Sequence, residues 1–307
     1  MLNGVLNIYK ERGYTSHDVV AKLRGITRQK KIGHTGTLDP EAEGVLPVCL
    51  GKATRLCDML TDKDKTYETV LLLGKETDTQ DITGKVLREG DTKNLSEEQV
   101  REVIRSFEGG YDQIPPMFSA LKVNGKKLYE LARDGKEVER KPRHVTIYRI
   151  KILEMALPRV RMEVQCSKGT YIRTLCHDIG RALGCFGCME KLRRTQVERF
   201  KIAESMRLSV AEQYFREGKL EEHMIAVDAM FPGYEQVYLK PEADRTVRNG
   251  GLFGLSDILW LGSLKEFEEG EKVRVYDENR YFIAVYAYRS KEKDFKIVRM
   301  FFDRIES

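Results

Sequence analysis

Apolar positions along the chain follow two periods, and each predicts a different element. LNGVLNI (2–8), with Leu2, Val5, Leu6 and Ile8, predicts a buried strand, whereas Val19, Val20 and Leu23 share one helical face behind a cap at Thr15 or Ser16. VLPVCL (45–50) predicts a short buried segment, ATRLCDML (53–60) a helix, and TYETVLLLG (66–74) a strand that Gly74 ends. SEEQVREVIRSFEGG (96–110) opens on the capping-box pair Ser96 and Gln99 and stops at paired glycines, which predicts a helix. In SALKVNGKKLYEL, Asn124-Gly125 lies between extended flanks and predicts a hairpin. HVTIYRIKILEM (144–155) and RVRMEVQCS (159–167) predict an antiparallel pair, and TYIRTLCHDIGRALG (170–184) a helix terminated by Gly184. Helices and strands mix without regular βαβ alternation. The pattern therefore predicts an α+β fold on a mixed, mainly antiparallel sheet.

The pattern changes near FPGYEQ (231–236). Beyond it, Pro241 and Asn249-Gly250-Gly251 separate the β-rich segments KVRVYD (272–277), YFIAVYAYR (281–289) and FKIVRMFF (295–302), which predict a small β-barrel or sandwich. Single cores stop growing near ~250–300 residues, so the 307 residues are expected to form two domains, 1–232 and 233–307.

Composition narrows the class. With 41% hydrophobic and 33% charged residues and no apolar run long enough to span a bilayer, the chain does not read as a helical membrane protein. MLNGVLNIYKERG lacks a basic leader followed by a long apolar core, which predicts a cytoplasmic location. Cys49, Cys57, Cys166, Cys176, Cys185 and Cys188 are then expected as reduced thiols. Cys185-Phe-Gly-Cys188, with Cys176 and His177 upstream, lacks the second ligand pair of a structural zinc site, so no metal is expected.

The net charge of +5 is mild, but basic residues cluster at RGITRQKK (24–31), at 123–144 and at EKLRRTQVERFK (190–201). One such cluster reads as solvated charge on an exposed surface. Three, two of them carrying aromatic or apolar residues, point to a polyanionic partner.

The stretch GHTGTLDPEAEGVLPVCLGKATR (33–55) places Asp39, Glu41 and Glu43 in one Gly-rich loop. As a calcium loop it fails, because its twelfth position is Leu50 where a bidentate Glu is required. As a phosphate loop it fails too: six residues separate Gly44 from Gly51-Lys52, and Ala53 replaces the Ser or Thr that would hold magnesium. Two readings of Asp39 remain. Pro40 holds it in extended backbone on a stiff loop, and Gly33, Gly36 and Gly44 allow close approach of a ligand or another backbone, as a catalytic carboxylate would need. The alternative is an aspartate that only stabilises its own turn. Glu41 and Glu43 fit solvent-facing roles.

GVLNIYKERGYTS, the 33–55 stretch, DKTYETVLLLGKETDTQDITG, IPPMFSALKVNGKKLYELAR and CSKGTYIRTL together resemble the bacterial TruB-type tRNA pseudouridine-55 synthases, in that family's order and across residues 2–200. The tail after about residue 233 resembles the PUA-type RNA-binding module. The resemblance implies an isomerase acting on the T-arm of tRNA. It would break the bond between uracil and ribose, turn the base and rejoin it through carbon, without redox change, energy input or cofactor. It also implies that the protein works in the cytoplasm without a guide RNA or an obligatory protein partner.

In that resemblance Asp39 is the nucleophile, at the ribose carbon or at the base ring, and Arg173 is the partner that keeps it ionised and directed. Tyr67 stacks on the target base, and Tyr171 and Leu192 line the uracil pocket. His34 fills space in the RNA where bases have been extruded. Flipping costs a few kcal/mol and stacking on one aromatic ring returns only about 1–3 kcal/mol, so a filler and phosphate contacts are needed. Lys10, Arg28, Lys30, Lys31, Lys63, Lys65 and the segment 122–143 are expected to supply those contacts, with Asp81 in a loop near the RNA. Outside the resemblance, Tyr67 would read as a core aromatic, Arg173 as a helix-surface cation and His34 as a loop residue. For Leu192, packing and base contact stand side by side.

Two positions depart from the family pattern. Lys10-Glu11-Arg12-Gly13 stands where Lys-Pro-x-Gly is frequent, which predicts a less rigid loop, and Cys188 stands where histidine is common. Two other functions compete: a catalytically silent RNA-binding or RNA-folding protein, which would not need the Asp39, Tyr67 and Arg173 set, and a guide-dependent synthase, whose relatives generally lack the segment 108–143.

Overall fold

The computed structural model describes residues 1–123, 125–259 and 266–302. One sheet organises residues 1–232. Its strands run in the order Gly4–Lys10, Glu43–Leu50, Gly187–Val197, Lys65–Leu73, Arg159–Cys166, Arg143–Ala156 and Gly109–Gln113, with Ile32–His34 and Phe200–Lys201 attached to the side. Every pairing is antiparallel except that of Gly187–Val197 with Glu43–Leu50, where Arg193 and Arg194 lie opposite Glu43 and Gly44. The sheet is mixed and mainly antiparallel, and helices cover it, so the α+β expectation holds.

Two helical layers bury the apolar faces. Helix Ser16–Thr27 starts at Thr15, whose side chain accepts from the Asp18 amide while Asp18 returns a bond to the Thr15 backbone. Such a cap contributes about 1 kcal/mol. The helix packs Val19, Val20 and Leu23 against Leu6, Ile8, Leu46 and Val48 of the sheet. On the other side of the unit, Glu97–Ser106 and Ile172–Ala182 pack Val100, Ile104, Leu175 and Ile179 against Leu71, Val160 and Met162. Each fully buried Leu, Ile or Val contributes about 1.5–3 kcal/mol.

Some expected boundaries move. Residues 53–60 divide into a 3-10 turn, Gly51–Leu56, and a short helix, Cys57–Thr61. Helix Glu97–Ser106 ends before the paired glycines, which instead open strand Gly109–Gln113. Asn124 of the predicted hairpin lies outside the described residues. Its flanks Lys122–Val123 and Lys126–Lys127 do pair antiparallel, but Leu128–Arg133 is helical, not extended. The largest miss is Gly187–Val197: the stretch read as a basic cluster is a central strand.

After residue 232 a second, open sheet takes over. Its order is Glu235–Tyr238, Lys272–Tyr276, Phe282–Arg289, Asp294–Met300 and Phe253–Gly254, with helix Pro241–Arg248 packed against it. The Tyr286 hydroxyl donates within bonding distance of the Val247 and Gly251 carbonyls, at 3.2 and 3.0 Å, holding the helix end to the sheet. Val285 and Phe301 belong to one core cluster with Val5, Val45, Phe200 and Phe231, so the two sheets share an interior. Among the described residues no helix is long and apolar enough to cross a membrane.

Candidate active site

Asp39 sits on neither helix nor strand. Asp39, Pro40, Glu41 and Ala42 form a turn, closed by the Ala42 amide donating to the Asp39 carbonyl at 3.0 Å, with proline at its second position as such turns favour. The flanking Leu38 and Ala42 are buried in the same core cluster as Tyr67. The Ser16 hydroxyl accepts from the Leu38 amide at 2.9 Å, and the Pro40 carbonyl accepts from the Gly13 amide at 2.9 Å. Because backbone anchors hold the turn, the carboxylate is free to point elsewhere.

It points at Arg173. Arg173 Nε lies 2.9 Å from Asp39 Oδ2, and Nη2 lies 3.3 Å from Oδ1. This is the two-pronged geometry that fixes a carboxylate in direction as well as charge. The arginine is no surface cation: its side chain is 5% exposed, while that of Asp39 keeps 38%. Nη2 donates also to the Phe118 carbonyl at 2.8 Å, and Nη1 donates to the Thr79 carbonyl at 3.0 Å with Asp81 Oδ2 3.8 Å away. Burial pushes the Asp39 carboxyl above its ordinary value; Arg173 and Lys10 pull it back, and Asp81 pushes it up again. The net direction is upward, because the walls around the acid remove more solvation than one arginine restores.

Asp39 and Leu192 form the partition of a two-chambered cleft. A chamber of about 340 Å³ is lined by Tyr67, Tyr171, Arg173 and Arg194 among others, and a neighbouring one of about 430 Å³ reaches Glu68, Asp81 and Arg193. Tyr67, on strand Lys65–Leu73, is both a core aromatic and a wall of the first chamber, and is 8% exposed. Tyr171 stands just before helix Ile172–Ala182, and the buried Gln113 side chain brackets its backbone: the Tyr171 amide donates to Oε1 at 2.7 Å and the Tyr171 carbonyl accepts from Nε2 at 3.0 Å. Leu192 packs on the core and also lines both chambers.

His34 ends strand Ile32–His34, edge-on to His17 with ring centroids 5.4 Å apart. Burial, with the charges of His17 and Arg194 nearby, lowers it to about 4, so the ring is neutral near pH 7. Asp81 is built into its loop: Oδ1 accepts from the Thr79 hydroxyl at 2.9 Å and from the Thr83 amide at 3.0 Å.

The expected phosphate contacts divide into two groups. Arg28, Lys30, Lys31 and Lys63 are exposed, as are Lys122, Lys126, Arg133, Lys136, Lys141 and Arg143. Lys10 and Lys65 are not. Lys10 is fully buried, with Nζ donating to the Tyr14, Glu11 and Pro40 carbonyls at 2.6, 3.2 and 3.2 Å. Lys65 Nζ donates to the Thr61 and Lys63 carbonyls at 2.7 and 2.5 Å. Burial lowers both ammonium groups to about 8. Each lysine braces loop carbonyls; Lys10 is sealed inside the protein, whereas Lys65 also lines the first chamber.

The two departures resolve structurally. Without proline, the Lys10–Gly13 loop is tied through Lys10 and Gly13 to Pro40, and Arg12 pairs with Glu41 at 2.6 Å. Cys188 is fully buried and faces no surface. All six cysteines are free thiols, and no cluster of metal-ligating side chains occurs among the described residues.

The sequence reading missed Arg194 and Gln113. Arg194 could have been found from strand periodicity: it lies two positions from Leu192 and therefore on the same face. The residue is 1% exposed and its guanidinium donates to the Val45 carbonyl at 2.8 Å and the Gly36 carbonyl at 3.2 Å, with the Tyr67 phenol as its nearest titratable neighbour.

Comparison with known proteins adds independent findings. Residues 24–172 match the family described as TruB family pseudouridylate synthase (N terminal domain), and residues 173–232 match the tRNA pseudouridylate synthase B C-terminal domain. The tRNA pseudouridine synthase B of Lachnoclostridium phytofermentans is 51% identical over 308 residues, covering 98% of this chain and 100% of the relative. That of Clostridium tetani is 43% identical over 299 residues, covering 97% and 99%. Among solved structures, a Cbf5–Nop10–Gar1 complex aligns with TM-score 0.72 at 28% identity, over 99% of this chain and 86% of the other. An H/ACA RNP bound to a substrate RNA containing 2′-deoxyuridine aligns with TM-score 0.70 at 26% identity, over 98% and 86%.

Proposed function

The chain belongs to the TruB family of pseudouridylate synthases, and on that premise we propose that it converts uridine 55 in the T-loop of tRNA to pseudouridine, with Asp39 as nucleophile. The observation that carries this reading is the two-pronged Asp39–Arg173 contact beside a chamber walled by Tyr67 and Tyr171. A protein that only bound or folded RNA would gain nothing from burying an ion pair there, since desolvating both charges is costly.

The uridine leaves its stack and enters the chamber, with Tyr67 and Tyr171 against the ring. Asp39 attacks the nucleoside, the N1–C1′ bond between base and ribose breaks, the base turns and C5 joins C1′; the bond to Asp39 then breaks to restore the carboxylate, C5 loses its proton and N1 gains one. Leu192 limits that movement and keeps water from the open intermediate. Arg173 holds the carboxylate charged and aimed throughout, which offsets the upward pull of burial. The change is redox-neutral and needs no cofactor.

His34, uncharged, occupies the gap left in the RNA by the flipped base. Exposed cations, Arg28, Lys30, Lys31, Lys63 and those of 122–143, hold the phosphates, and Asp81 contributes from the second chamber. Residues 233–307 act as a second, PUA-like RNA-binding unit beside the catalytic domain of residues 1–232. The enzyme works in the cytoplasm on the T-arm alone, without a guide RNA or obligatory partner. The segment 108–143, a full RNA-contacting arm on the chain itself, favours this over the guide-dependent organisation of the H/ACA structures.

The test is direct. The purified chain is incubated with a T-arm stem-loop and no added cofactor, and pseudouridine is mapped by chemical labelling. Modification at position 55 by the native chain, and none by Asp39→Asn at retained RNA binding, is the expected result. Near-native turnover by Asp39→Asn would overturn the reading.

A further inference from the structure

Arg194 is a cation buried in the floor of the cleft. The charged groups around it include Lys10 and Lys65, its hydrogen-bond partners are two carbonyls, and the side chain that shares the first chamber with it from the paired position is a phenol, not a carboxylate. Packing alone does not require a charge at this position; an unbranched apolar side chain of similar length would fill the space without the desolvation cost. What only a planar, forked donor can do is satisfy both carbonyls at fixed angles while presenting its charge to the neighbouring phenol.

Those three neighbours belong to different parts of the site. Gly36 and Val45 lie on either side of Asp39, at the two ends of the loop that carries it. Tyr67 lies directly across from Arg194 on the neighbouring strand. The backbone enforces the same junction. Arg194 pairs in register with Gly44, and a Cβ at Gly44 would lie 2.2 Å from the Arg194 carbonyl oxygen. Only glycine, at φ +108° there, lets the loop close onto the strand.

We propose that Arg194 is a positioning residue for the reaction: it fixes the Tyr67 ring relative to the loop that presents Asp39, so that the stacked base and the nucleophile meet at one distance and angle. The inference rests on the function proposed above. It concerns geometry, not RNA affinity, because the guanidinium is sealed from solvent.

The experiment is a double-mutant cycle on single-turnover pseudouridine formation, using Arg194→Lys, Tyr67→Phe and the pair, with T-arm RNA affinity and melting temperature measured in parallel. Misplacing reacting groups by about 1 Å costs on the order of 10²-fold. Arg194→Lys is therefore expected to slow turnover by about 10²-fold, with the RNA dissociation constant within about threefold. In the Tyr67→Phe background, where the phenol oxygen is already gone, the same change should cost at least tenfold less. Equal losses in both backgrounds, or a loss matched by weaker RNA binding, would overturn the proposal. Should Arg194→Lys not fold, Tyr67→Phe decides: an unchanged rate overturns the proposal, and a tenfold or greater fall at unchanged affinity and melting temperature supports it. Asp39→Asn run alongside separates the two ideas, since an active Asp39→Asn enzyme defeats the functional reading, whereas an inactive one with an additive cycle defeats only the Arg194 assignment.

Discussion

Arg173 grips Asp39 from inside the protein: Nε to Oδ2 at 2.9 Å and Nη2 to Oδ1 at 3.3 Å, with the guanidinium anchored behind by the Thr79 and Phe118 carbonyls. The cation is the fixed partner and the acid is the one open to the cleft. Arg173→Lys keeps the charge but not the fork, so Asp39 should lose its aim; single-turnover rates are expected to fall about 10²-fold or more. RNA affinity, measured by filter binding, should change by less than about threefold, because Arg173 is buried behind Asp39 and away from the exposed cations.

The pH response follows from burial. Asp39 is required as the anion, and its pKa is raised, first by burial and then by Asp81, against the pull of Arg173 and Lys10. Turnover is therefore present above that raised pKa and lost as pH falls through it. The acid limb of a single-turnover pH–rate profile should lie above about 4, the usual aspartate value. A limb at or below that value would show that the arginine outweighs the desolvation.

Lys10 separates bracing from RNA binding. Lys10→Met strands three loop carbonyls that now accept from Nζ. Loss of a buried charged donor to several acceptors costs about 2–4 kcal/mol, which a denaturant melt would register. The slope of RNA affinity against salt should not change.

The exposed cations should behave in the opposite way. With about six phosphates engaged, affinity is expected to drop on the order of 10³-fold between low and moderate salt. Lys30→Gln should shallow the logarithmic slope by about one while leaving the melting temperature alone. A flat salt response would remove electrostatic docking.

His34, lowered to about 4, should act as an uncharged plate and not as a cation. RNA affinity is then expected to show no step attributable to it between pH 5.5 and 8. His34→Phe should retain more activity than His34→Ala, by up to the roughly 1–3 kcal/mol that one stacking face supplies.

What the sequence disclosed depended on whether a residue obeyed its local pattern. The helix behind Thr15 was legible because its cap and apolar face agree, and Asp39 stood out because Pro40 and the glycines forbid an ordinary element there. Strand Gly187–Val197 was not legible. Glu190, Lys191 and Arg193 face its polar side, and the buried position between them and Thr195 carries an arginine, so hydropathy reported only charge. Lys10 misled for the same reason: a fully buried lysine satisfied by carbonyls looks, in sequence, like one meant for phosphate. Gln113 gave no signal, because bracketing the Tyr171 backbone is a long-range relation across 58 positions.

The common core of the two sheets bears on how the chain can be divided. Val285 and Phe301 pack in one cluster with Val5, Val45 and Phe231. A cut after residue 232 would not sever a tether between independent pieces; it would strip one wall from an oily interior and turn those side chains outward. The shortened protein should therefore be sticky and prone to clump before it is merely weaker on RNA, and trimming experiments meant to isolate the tail's contribution would report on solubility first.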